Sequence, residues 1–321
     1  MHNLAGKRIV VTGGAGFIGS HLVDALILDG ANVTVLDDLS TGSRSNLNPA
    51  ATFHHTSLLD AGAVGESLRS VDLIFHLAAD ATTRESSMGW ETPLHTLETN
   101  IMGTLNLYES IVKLGLKAKV VFASTAAVYG EPISTPVSET HPLNPVSPYG
   151  VSKVAGENLA LAYFRVFNVQ SVIVRIFNTY GPRQPRYVIF ELMKKLQKDR
   201  TRLQVLGSAN TVRDYCYVSD MVNALVLAAR QGIGGEIYNV SGEAPVSIGQ
   251  LVTLIIEQFR LENKVDVEYT GRSWKGDIQR MLGDISKIKR LGFQPKTPLR
   301  EGLRKMLDSA WWQSTSRDSI D

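Results

Sequence analysis

A glycine-rich segment directly after a short apolar run constrains the fold of this chain more than any other feature. Residues 9–11 (Ile-Val-Val) form the apolar run, and Gly13, Gly16 and Gly19 follow at intervals of three. The run predicts a strand that is buried on both faces, and residues 17–28 have the apolar spacing of a helix. A strand, a tight glycine turn and a helix in that order indicate the first unit of an α/β fold.

The same alternation of strand and helix patterns continues to about residue 180. Strand-like runs cover residues 32–36, 71–77, 119–124 and 171–177, and helical stretches cover residues 93–114 and 149–167. Alternating units of this kind predict a Rossmann-type, doubly wound parallel sheet. Beyond residue 180 the segments are shorter and glycine turns recur. Residues 1–180 are therefore predicted as the first domain and residues 181–321 as a smaller α/β region folded onto it, with some later segments returning to the first.

Composition limits the classes of protein to which the chain can belong. Its 33 basic and 31 acidic residues leave a net charge of +2, which gives no support for binding to nucleic acid or an anionic membrane. Cys216 is the only cysteine, so no intrachain disulfide can form. No signal-like segment and no apolar run of about 18 residues is present, so a cytoplasmic protein is expected. His54 and His55 have no partner at ligand spacing, so no metal site is expected.

The three glycines match what a dinucleotide pyrophosphate requires. Lacking Cβ atoms, they permit a tight turn and a close approach of phosphate to the N-terminus of the following helix. The spacing is G-x-x-G-x-x-G rather than the more familiar G-x-G-x-x-G. Asp37 ends the second strand, 18 residues after Gly19. A carboxylate there accepts hydrogen bonds from the ribose hydroxyls and repels a 2′-phosphate, so NAD is favoured over NADP. Arg44 is expected on the surface.

Tyr149 and Lys153 form a second candidate site, because residues four apart share one face of a helix. A phenol has an ordinary pKa near 10, and lowering it by three units requires about 4 kcal/mol. One positive charge at about 4 Å supplies about that much at an effective dielectric near 20. Lys153 and an oxidised nicotinamide ring are therefore expected to lower the pKa of Tyr149, so that the phenol can take a hydroxyl proton during hydride transfer.

Hydroxyl groups end the predicted strand that precedes this helix. Ligands bind at the carboxyl ends of strands in an open parallel sheet. Ser124 and Thr125 stand at such an end. Either can hydrogen-bond the reacting oxygen, and Thr125 is favoured.

Taken in order, these motifs resemble the extended short-chain dehydrogenase/reductase family, and most closely its UDP-glucose/UDP-galactose 4-epimerases. The motifs that carry the resemblance are Gly13 to Gly19, Asp37-Asp38-Leu39, His76-Leu-Ala-Ala79, Asn100, Ser124 to Gly130, Tyr149 with Lys153, and Arg175-Ile-Phe-Asn178. The resemblance extends from Arg8 to about Trp312.

The resemblance implies that NAD oxidises the sugar at C4 to a ketone, that the ketone turns over, and that hydride returns to the other face. Tyr149 would be the acid and base, Lys153 its electrostatic partner and ribose ligand, and Thr125 the assisting hydroxyl. The residues implied in cofactor binding are Gly13, Gly16, Phe17, Ile18, Gly19, Asp37, Asp38, Leu58, Leu77, Ala78, Ala79, Asn100, Ser124, Tyr149 and Lys153.

The residues implied in substrate binding are Thr125, Tyr149, Asn178, Arg213, Arg272 and Asp277. Asn178 would hydrogen-bond the sugar-nucleotide. The planar guanidinium groups of Arg213 and Arg272 suit them to binding the diphosphate. Asp277 would bind the uridine ribose beside them. The first region would then hold NAD, and the second region would mainly hold the nucleotide sugar.

Two alanines narrow the reaction within the family. Related 4,6-dehydratases carry an Asp-Glu pair directly after the position of Thr125, and related decarboxylases carry a Glu at the second of these positions. This chain has Ala126 and Ala127. Without a carboxylate at either position, no general acid or base is available there for a reaction at C5, so epimerisation at C4 is predicted.

Several departures leave the sugar open. Ser57-Leu58 replaces the usual acidic contact to adenine, Asp80 follows the His76-Leu-Ala-Ala79 motif, and Met281 is implied beside the sugar. UDP-glucose and UDP-galactose are the favoured substrates. UDP-glucuronate, UDP-N-acetylhexosamine and a GDP-sugar stay open as substrates, and a non-catalytic NAD-sensing protein stays open as a function.

Arg186 is expected on the surface or beside a substrate acid group. In the family that the chain resembles, the helices that match residues 93–114 and 149–167 pair with the same helices of a second subunit, so the resemblance implies a homodimer.

Overall fold

The computed structural model of the protein describes residues 4–81, 92–271 and 278–317, with side chains to residue 315. Within those ranges, the strands are β1 (Arg8–Thr12), β2 (Asn32–Asp37), β3 (Thr52–His55), β4 (Leu73–His76), β5 (Lys119–Thr125), β6 (Ser171–Ile176), β7 (Asn178–Tyr180), β8 (Arg202–Val205), β9 (Val212–Tyr217), β10 (Ile237–Val240), β11 (Pro245–Ser247), β12 (Asp266–Tyr269) and β13 (Arg280–Met281).

The helices are α1 (Phe17–Leu28), α2 (Ala61–Ser67), α3 (Pro93–Leu97), α4 (Gly103–Lys113), α5 (Pro148–Phe167), α6 (Tyr187–Lys198), α7 (Val218–Gln231), α8 (Ile248–Gln258), α9 (Ser286–Lys289), α10 (Leu299–Asp308) and α11 (Ala310–Arg317). A π-helical turn, Glu98–Met102, joins α3 to α4. The single helix predicted over residues 93–114 is therefore three consecutive helical segments.

A seven-stranded parallel sheet forms the centre of the molecule, in the order β10-β6-β5-β4-β1-β2-β3. Its middle strands are runs of Val, Ile and Phe with buried side chains, as expected for a sheet that helices cover on both faces. One apolar core lies beneath α1 and α7, and a second lies beneath α4 and α5. The carboxyl ends of β1, β4 and β5 consequently meet at one edge of the sheet.

Short strands build a second region beside that edge. β9 pairs with β7, β11 and β13, and β8 pairs with β12. Apolar residues of α6, α8 and α10 cover these strands and form a separate core. The chain crosses between the two regions repeatedly, because α7 packs on α1 and β10 closes the large sheet before β11 returns to the small one.

The predicted fold class is confirmed, since the large sheet is parallel and has helices on both faces. All the strands and helices predicted up to residue 177 are present, with ends shifted by at most a few residues. The domain boundary at residue 180 stays a prediction. Within the described ranges, no helix combines the length and the apolar character needed to cross a bilayer.

Candidate active site

The glycine turn after β1 is shaped by close backbone packing. Gly13 has a φ of +71°, and a Cβ atom there would lie 2.7 Å from the Ala78 nitrogen. A Cβ atom on Gly19 would collide with the Gly13 carbonyl oxygen. Gly16 caps α1 without any side-chain hydrogen bond, so the first N–H groups of this helix receive no capping side chain. The turn and the N-terminus of α1 therefore form a cradle that suits an anionic group.

Asp37 closes one side of this cradle. One carboxylate oxygen accepts the Ala15 N–H at 2.9 Å and the other accepts the Leu39 N–H at 2.8 Å. Burial raises the pKa of Asp37, and the two backbone N–H groups oppose part of this shift. Because each carboxylate oxygen can accept a second hydrogen bond, Asp37 keeps the capacity to bind ribose hydroxyls. Arg44 is exposed, and its guanidinium lies 5.2 Å from the centre of the Phe53 ring, as expected for a surface residue.

A buried histidine ties the glycine turn to the end of β4. The Thr12 hydroxyl lies 2.8 Å from His76 Nδ1 and accepts the Ala78 N–H at 3.1 Å. His76 Nε2 lies 2.9 Å from the Thr104 hydroxyl. Burial, followed by the charge of Lys153, lowers the pKa of His76 to about 3. This imidazole is therefore a neutral structural connector at physiological pH.

Thr125 and Tyr149 meet at the end of β5. Ser147 caps α5 and Pro148 occupies its first turn, which fixes where the helix begins. The half-buried Tyr149 hydroxyl is hydrogen-bonded to Thr125, whose own hydroxyl oxygen accepts the Ala127 N–H at 3.2 Å. Ser124 is engaged elsewhere, because its hydroxyl donates to Glu157 at 2.5 Å. Between the two candidate hydroxyls, the structure places Thr125 beside the phenol.

The electrostatics of Tyr149 differ from the sequence-based expectation. Burial raises the pKa of Tyr149, Tyr187 and Asp80 raise it further, and only the hydrogen bond from Thr125 opposes them. Burial also lowers the pKa of Lys153 to about 8, with partial opposition from Glu157. The protein's own groups alone therefore raise the phenol pKa through loss of hydration. The expected lowering also depends on an oxidised nicotinamide ring, so it stays a prediction for the NAD-bound site.

Lys153 follows Tyr149 by one turn of α5, and Asn100 stands in the π-helical turn that contacts this helix. The Lys153 ammonium lies 4.8 Å from the centre of the Phe122 ring. The Asn100 side-chain carbonyl accepts the Asp80 N–H at 2.7 Å, and its amide donates to the Asp80 carbonyl and the Ser152 hydroxyl, each at 2.9 Å. The structure thus uses the Asn100 side chain to join the end of β4 to α5.

Of the residues predicted to bind substrate, Thr125 and Tyr149 lie at the end of β5 and the start of α5, whereas Asn178 and Arg213 lie on the small sheet. Asn178 is exposed at the start of β7 and pairs in register with Tyr215 of β9. Arg213 is half-buried on β9, where it stands opposite Met281 of β13, and it donates to the Val212 carbonyl at 3.0 Å. Arg272 and Asp277 lie outside the described residues.

Comparison with known proteins identifies the family. The family model described as GDP-mannose 4,6 dehydratase matches residues 10–306. The chain is 35% identical over 315 residues to a putative UDP-glucose 4-epimerase of Methanocaldococcus jannaschii, covering 96% of this chain and 99% of the relative. It is also 35% identical to UDP-glucuronic acid decarboxylase 1 of Xenopus tropicalis, covering 94% of this chain and 71% of the relative.

A solved structure matches over nearly the full length. The UDP-glucose 4-epimerase of Thermus thermophilus in complex with NAD superimposes with a TM-score of 0.84 at 33% identity, covering 94% of this chain and 98% of that one. The chain belongs to the NAD-dependent epimerase/dehydratase family of short-chain dehydrogenases/reductases. The predictions of this family and of NAD as its cofactor are thereby confirmed.

The remaining residues predicted to bind NAD divide into those next to the cradle and those whose side chains are engaged elsewhere. Leu77, Ala78 and Ala79 follow β4 and are partly exposed. Phe17 and Ile18 open α1 and pack on the two neighbouring cores. Other predicted contacts point away from solvent or away from the cradle: Leu58 is buried beneath α4, and the exposed Asp38 accepts the Ser40 N–H at 2.9 Å. Their roles in NAD binding stay predictions.

Two residues that act on Tyr149 or Lys153 were missed by sequence reasoning. Tyr187 begins α6 with a φ of +71°, is 52% exposed, and acts electrostatically on Tyr149. Its left-handed backbone has no signature in the sequence. Glu157 lies one helical turn after Lys153 and forms a buried ion pair with Arg175. The spacing 149, 153, 157 on one helix face is a signal that reveals it.

Proposed function

We propose that this family member catalyses 4-epimerisation of a nucleotide sugar, with UDP-glucose and UDP-galactose as the favoured pair. The observation that carries the proposal is the hydrogen-bonded Thr125–Tyr149 pair beside Lys153, followed by two alanines instead of carboxylates. The glycine turn and the N-terminus of α1 would hold the NAD pyrophosphate, and Asp37 its adenosine ribose. When bound, NAD supplies the acceptor for a hydride that leaves sugar C4 and later returns.

The protein's own groups would move the proton. Thr125 and Tyr149 would hydrogen-bond the sugar O4, with the Tyr149 phenolate taking the O4 proton during oxidation and the resulting phenol returning it during reduction. Because burial raises the pKa of Tyr149, the phenol holds its proton firmly between the two steps. Lys153, which is a cation below about pH 8, would stabilise the phenolate that proton transfer requires.

The surroundings of this pair favour epimerisation over elimination or decarboxylation. Ala126 and Ala127 provide no titratable group in the short turn after Thr125. Among the described residues, Asp80 acts electrostatically on Tyr149 and Glu157 acts on Lys153, and both carboxylates are engaged: Asp80 accepts the Thr96 hydroxyl at 2.7 Å, and Glu157 is bound by Arg175. Proton removal at C5 would therefore lack a base on this turn.

A product assay tests the proposal. Purified protein is incubated with UDP-glucose, UDP-galactose, UDP-glucuronate, UDP-N-acetylglucosamine and GDP-mannose, first without and then with added NAD, and products are separated by chromatography and identified by NMR. We expect C4 epimers, most rapidly from UDP-glucose and UDP-galactose. A 4-keto-6-deoxy sugar or release of CO₂ would instead assign a dehydratase or a decarboxylase. If no product forms from any of these sugars, the proposed enzymatic activity is refuted and a non-catalytic NAD-sensing protein is favoured.

Two phenols provide a matched pair of variants. Tyr149→Phe should lower kcat by about 10²- to 10⁴-fold, because it removes the acid and base. Tyr187→Phe removes a hydroxyl from the same neighbourhood but leaves the Thr125–Tyr149 pair intact, so kcat should stay within about threefold of the wild type. Equal effects of the two variants would remove Tyr149 from the role proposed for it.

A further inference from the structure

The face of α5 that carries the proton-transfer pair continues into a buried charge cluster. Tyr149, Lys153 and Glu157 recur at intervals of four residues. The Glu157 side chain is 3% exposed, and the Arg175 side chain that faces it is 2% exposed. Neither residue is required by the proton-transfer chemistry described above. A buried ion pair contributes little net stability in many proteins, so its position beside the active site calls for another explanation.

Glu157 binds two strands at once. Its Oε1 accepts the Ser124 hydroxyl at 2.5 Å and the Arg175 Nε at 2.9 Å, while its Oε2 accepts an Arg175 terminal nitrogen at 2.7 Å. Ser124 and Arg175 stand side by side in the β5–β6 register. The carboxylate therefore fastens α5 to the end of β5, one residue before Thr125.

Arg175 is held from its far side as well. Its other terminal nitrogen donates to the Tyr129 hydroxyl at 2.9 Å and to the Glu139 carbonyl at 3.0 Å. The Tyr129 hydroxyl donates in turn to Asn239 of β10 at 2.6 Å. Although burial alone would lower the pKa of Arg175, its bonds and attraction to Glu157 raise it, so the guanidinium stays charged. The cluster connects β5, β6, β10 and the start of the segment after β5 to one helix.

We infer that Glu157 is a positioning residue of the proton-transfer site. By holding α5 against Ser124, it sets the separation between the helix that carries Tyr149 and the strand that carries Thr125. Its negative charge also faces Lys153, which lies one turn before it on the same helix face. The inference rests on the proposed function, because positioning has a consequence for turnover only where the pair transfers a proton.

Glu157→Gln is the principal test. The glutamine keeps an oxygen for Ser124 but turns an N–H donor towards the donors of Arg175, so α5 should shift from β5. We expect kcat to fall about 30- to 100-fold and KM for the nucleotide sugar to change less than about threefold. Glu157→Leu combined with Arg175→Met removes both charges and keeps apolar volume, so it provides a second folded variant. The kcat of this double variant should fall by a factor similar to that of Glu157→Gln.

Asp220→Asn is the matched control. Asp220 is another buried carboxylate, and its Oδ2 accepts the N–H groups of Lys296 and Thr297 at 3.0 and 2.8 Å, away from the proton-transfer pair. The same carboxylate-to-amide change there should lower thermal stability but leave kcat within about threefold of the wild type. The positioning role is refuted if the Glu157 variants fold and keep the wild-type kcat. It is also refuted if Asp220→Asn lowers kcat by as large a factor as they do.

A titration separates this inference from the proposed function. The pKa of Lys153 is read by NMR from its labelled side chain, which is assigned by the loss of signal in Lys153→Met. Among the described residues, the charged and titratable groups around Lys153 and Tyr149 are Glu157, His76, Arg175, Asp80 and Tyr187. Glu157→Gln should move the Lys153 titration to lower pH, because an attractive charge is lost. An unchanged titration refutes the inference. If the wild type forms no epimer, the proposed function fails, and this titration still tests the Glu157–Lys153 contact.

Discussion

The cradle proposed for the dinucleotide and the small sheet proposed for the nucleotide sugar, which carries Asn178 and Arg213, lie on opposite sides of Tyr149 in the chain, and they are built differently. In the cradle, backbone atoms touch each other directly, and Asp37 is already bound by two N–H groups of its own loop. On the small sheet, strands of two to six residues present an exposed Asn178 and a half-buried Arg213. The first site depends on backbone shape, and the second depends on individual side chains.

This difference has a consequence for recognition. A backbone-shaped site accepts one ligand geometry and cannot be altered without deforming the turn. A site that is made of side chains from separate segments can change its ligand through single substitutions, with the surrounding strands unchanged. We therefore expect NAD binding to be the more easily destroyed property of the two, and sugar selectivity to be the more easily adjusted one.

Gly19→Ala should have the largest effect. Its Cβ atom would collide with the Gly13 carbonyl, so the turn must shift, at a cost of about 3 kcal/mol or more. Isothermal titration calorimetry should find NAD binding weakened by about a hundredfold or more. Gly65→Ala in α2, where the added Cβ atom meets only Ser110 Oγ at 3.8 Å, is the control and should bind NAD normally. Normal binding by Gly19→Ala would show that the cradle is not set by backbone packing.

Arg213→Met should have the next largest effect, on the other side of the comparison. Loss of a charge-assisted hydrogen bond to diphosphate costs about 1.5–3 kcal/mol, so KM for the nucleotide sugar should rise about ten- to hundredfold. NAD binding should stay unchanged. Arg202→Met, which removes an exposed ion pair with Glu268, provides the control and should alter neither quantity. A change in the NAD affinity of Arg213→Met would show that the two proposed sites do not bind their ligands independently.

Asp37→Asn should have a smaller effect on cofactor choice. The amide keeps part of the hydrogen bonding but loses the charge that disfavours a 2′-phosphate, so the preference for NAD over NADP should fall by about 1–2 kcal/mol, or about five- to thirtyfold. Competition binding with both dinucleotides measures this ratio. Asp38→Asn changes an exposed neighbour and should leave the ratio within about threefold. If the two variants behave alike, Asp37 does not govern the choice.

A pH titration of stability should reveal the smallest effect. Burial lowers the pKa of Lys153 from 10.5 to about 8, so above pH 8 the unfolded chain binds more protons than the folded one does. The free energy of unfolding should therefore rise between pH 8 and pH 9, by about 1 kcal/mol relative to Lys153→Met. Urea unfolding at both pH values measures it. Lys113→Met, at an exposed lysine, should match the wild type. A fall in the wild-type value relative to Lys153→Met would contradict burial of a charged Lys153.

Local patterns were sufficient to predict five of the seven strands of the large sheet and the glycine turn, whereas β3 and β10 were not predicted. Apolar runs gave the strands, and the spacing of Gly13, Gly16 and Gly19 placed the turn, because these features depend on neighbouring residues alone. The preference for Thr125 over Ser124 also agrees with the structure, which binds Tyr149 to Thr125 and Ser124 to Glu157.

What the sequence did not predict depends on contacts between distant segments. The π-helical turn around Asn100 and the return of β10 to the large sheet have no local signal. The rise of the Tyr149 pKa that the protein's own groups cause was not predicted, because an argument from two charges omits the loss of hydration on burial. The Glu157–Arg175 pair joins residues that are 18 positions apart, so only the folded chain brings them together.

The repeated crossing of the chain between the two regions limits how this protein can be divided. β10 forms one border of the large sheet, and α7 covers the same sheet beside α1, although both follow residue 180. A gene fragment that ends there would leave β6 as an unpaired border and uncover the apolar surface beneath α7. We expect such a fragment to aggregate, and exchange of whole halves between relatives to fail where replacement of single loops succeeds.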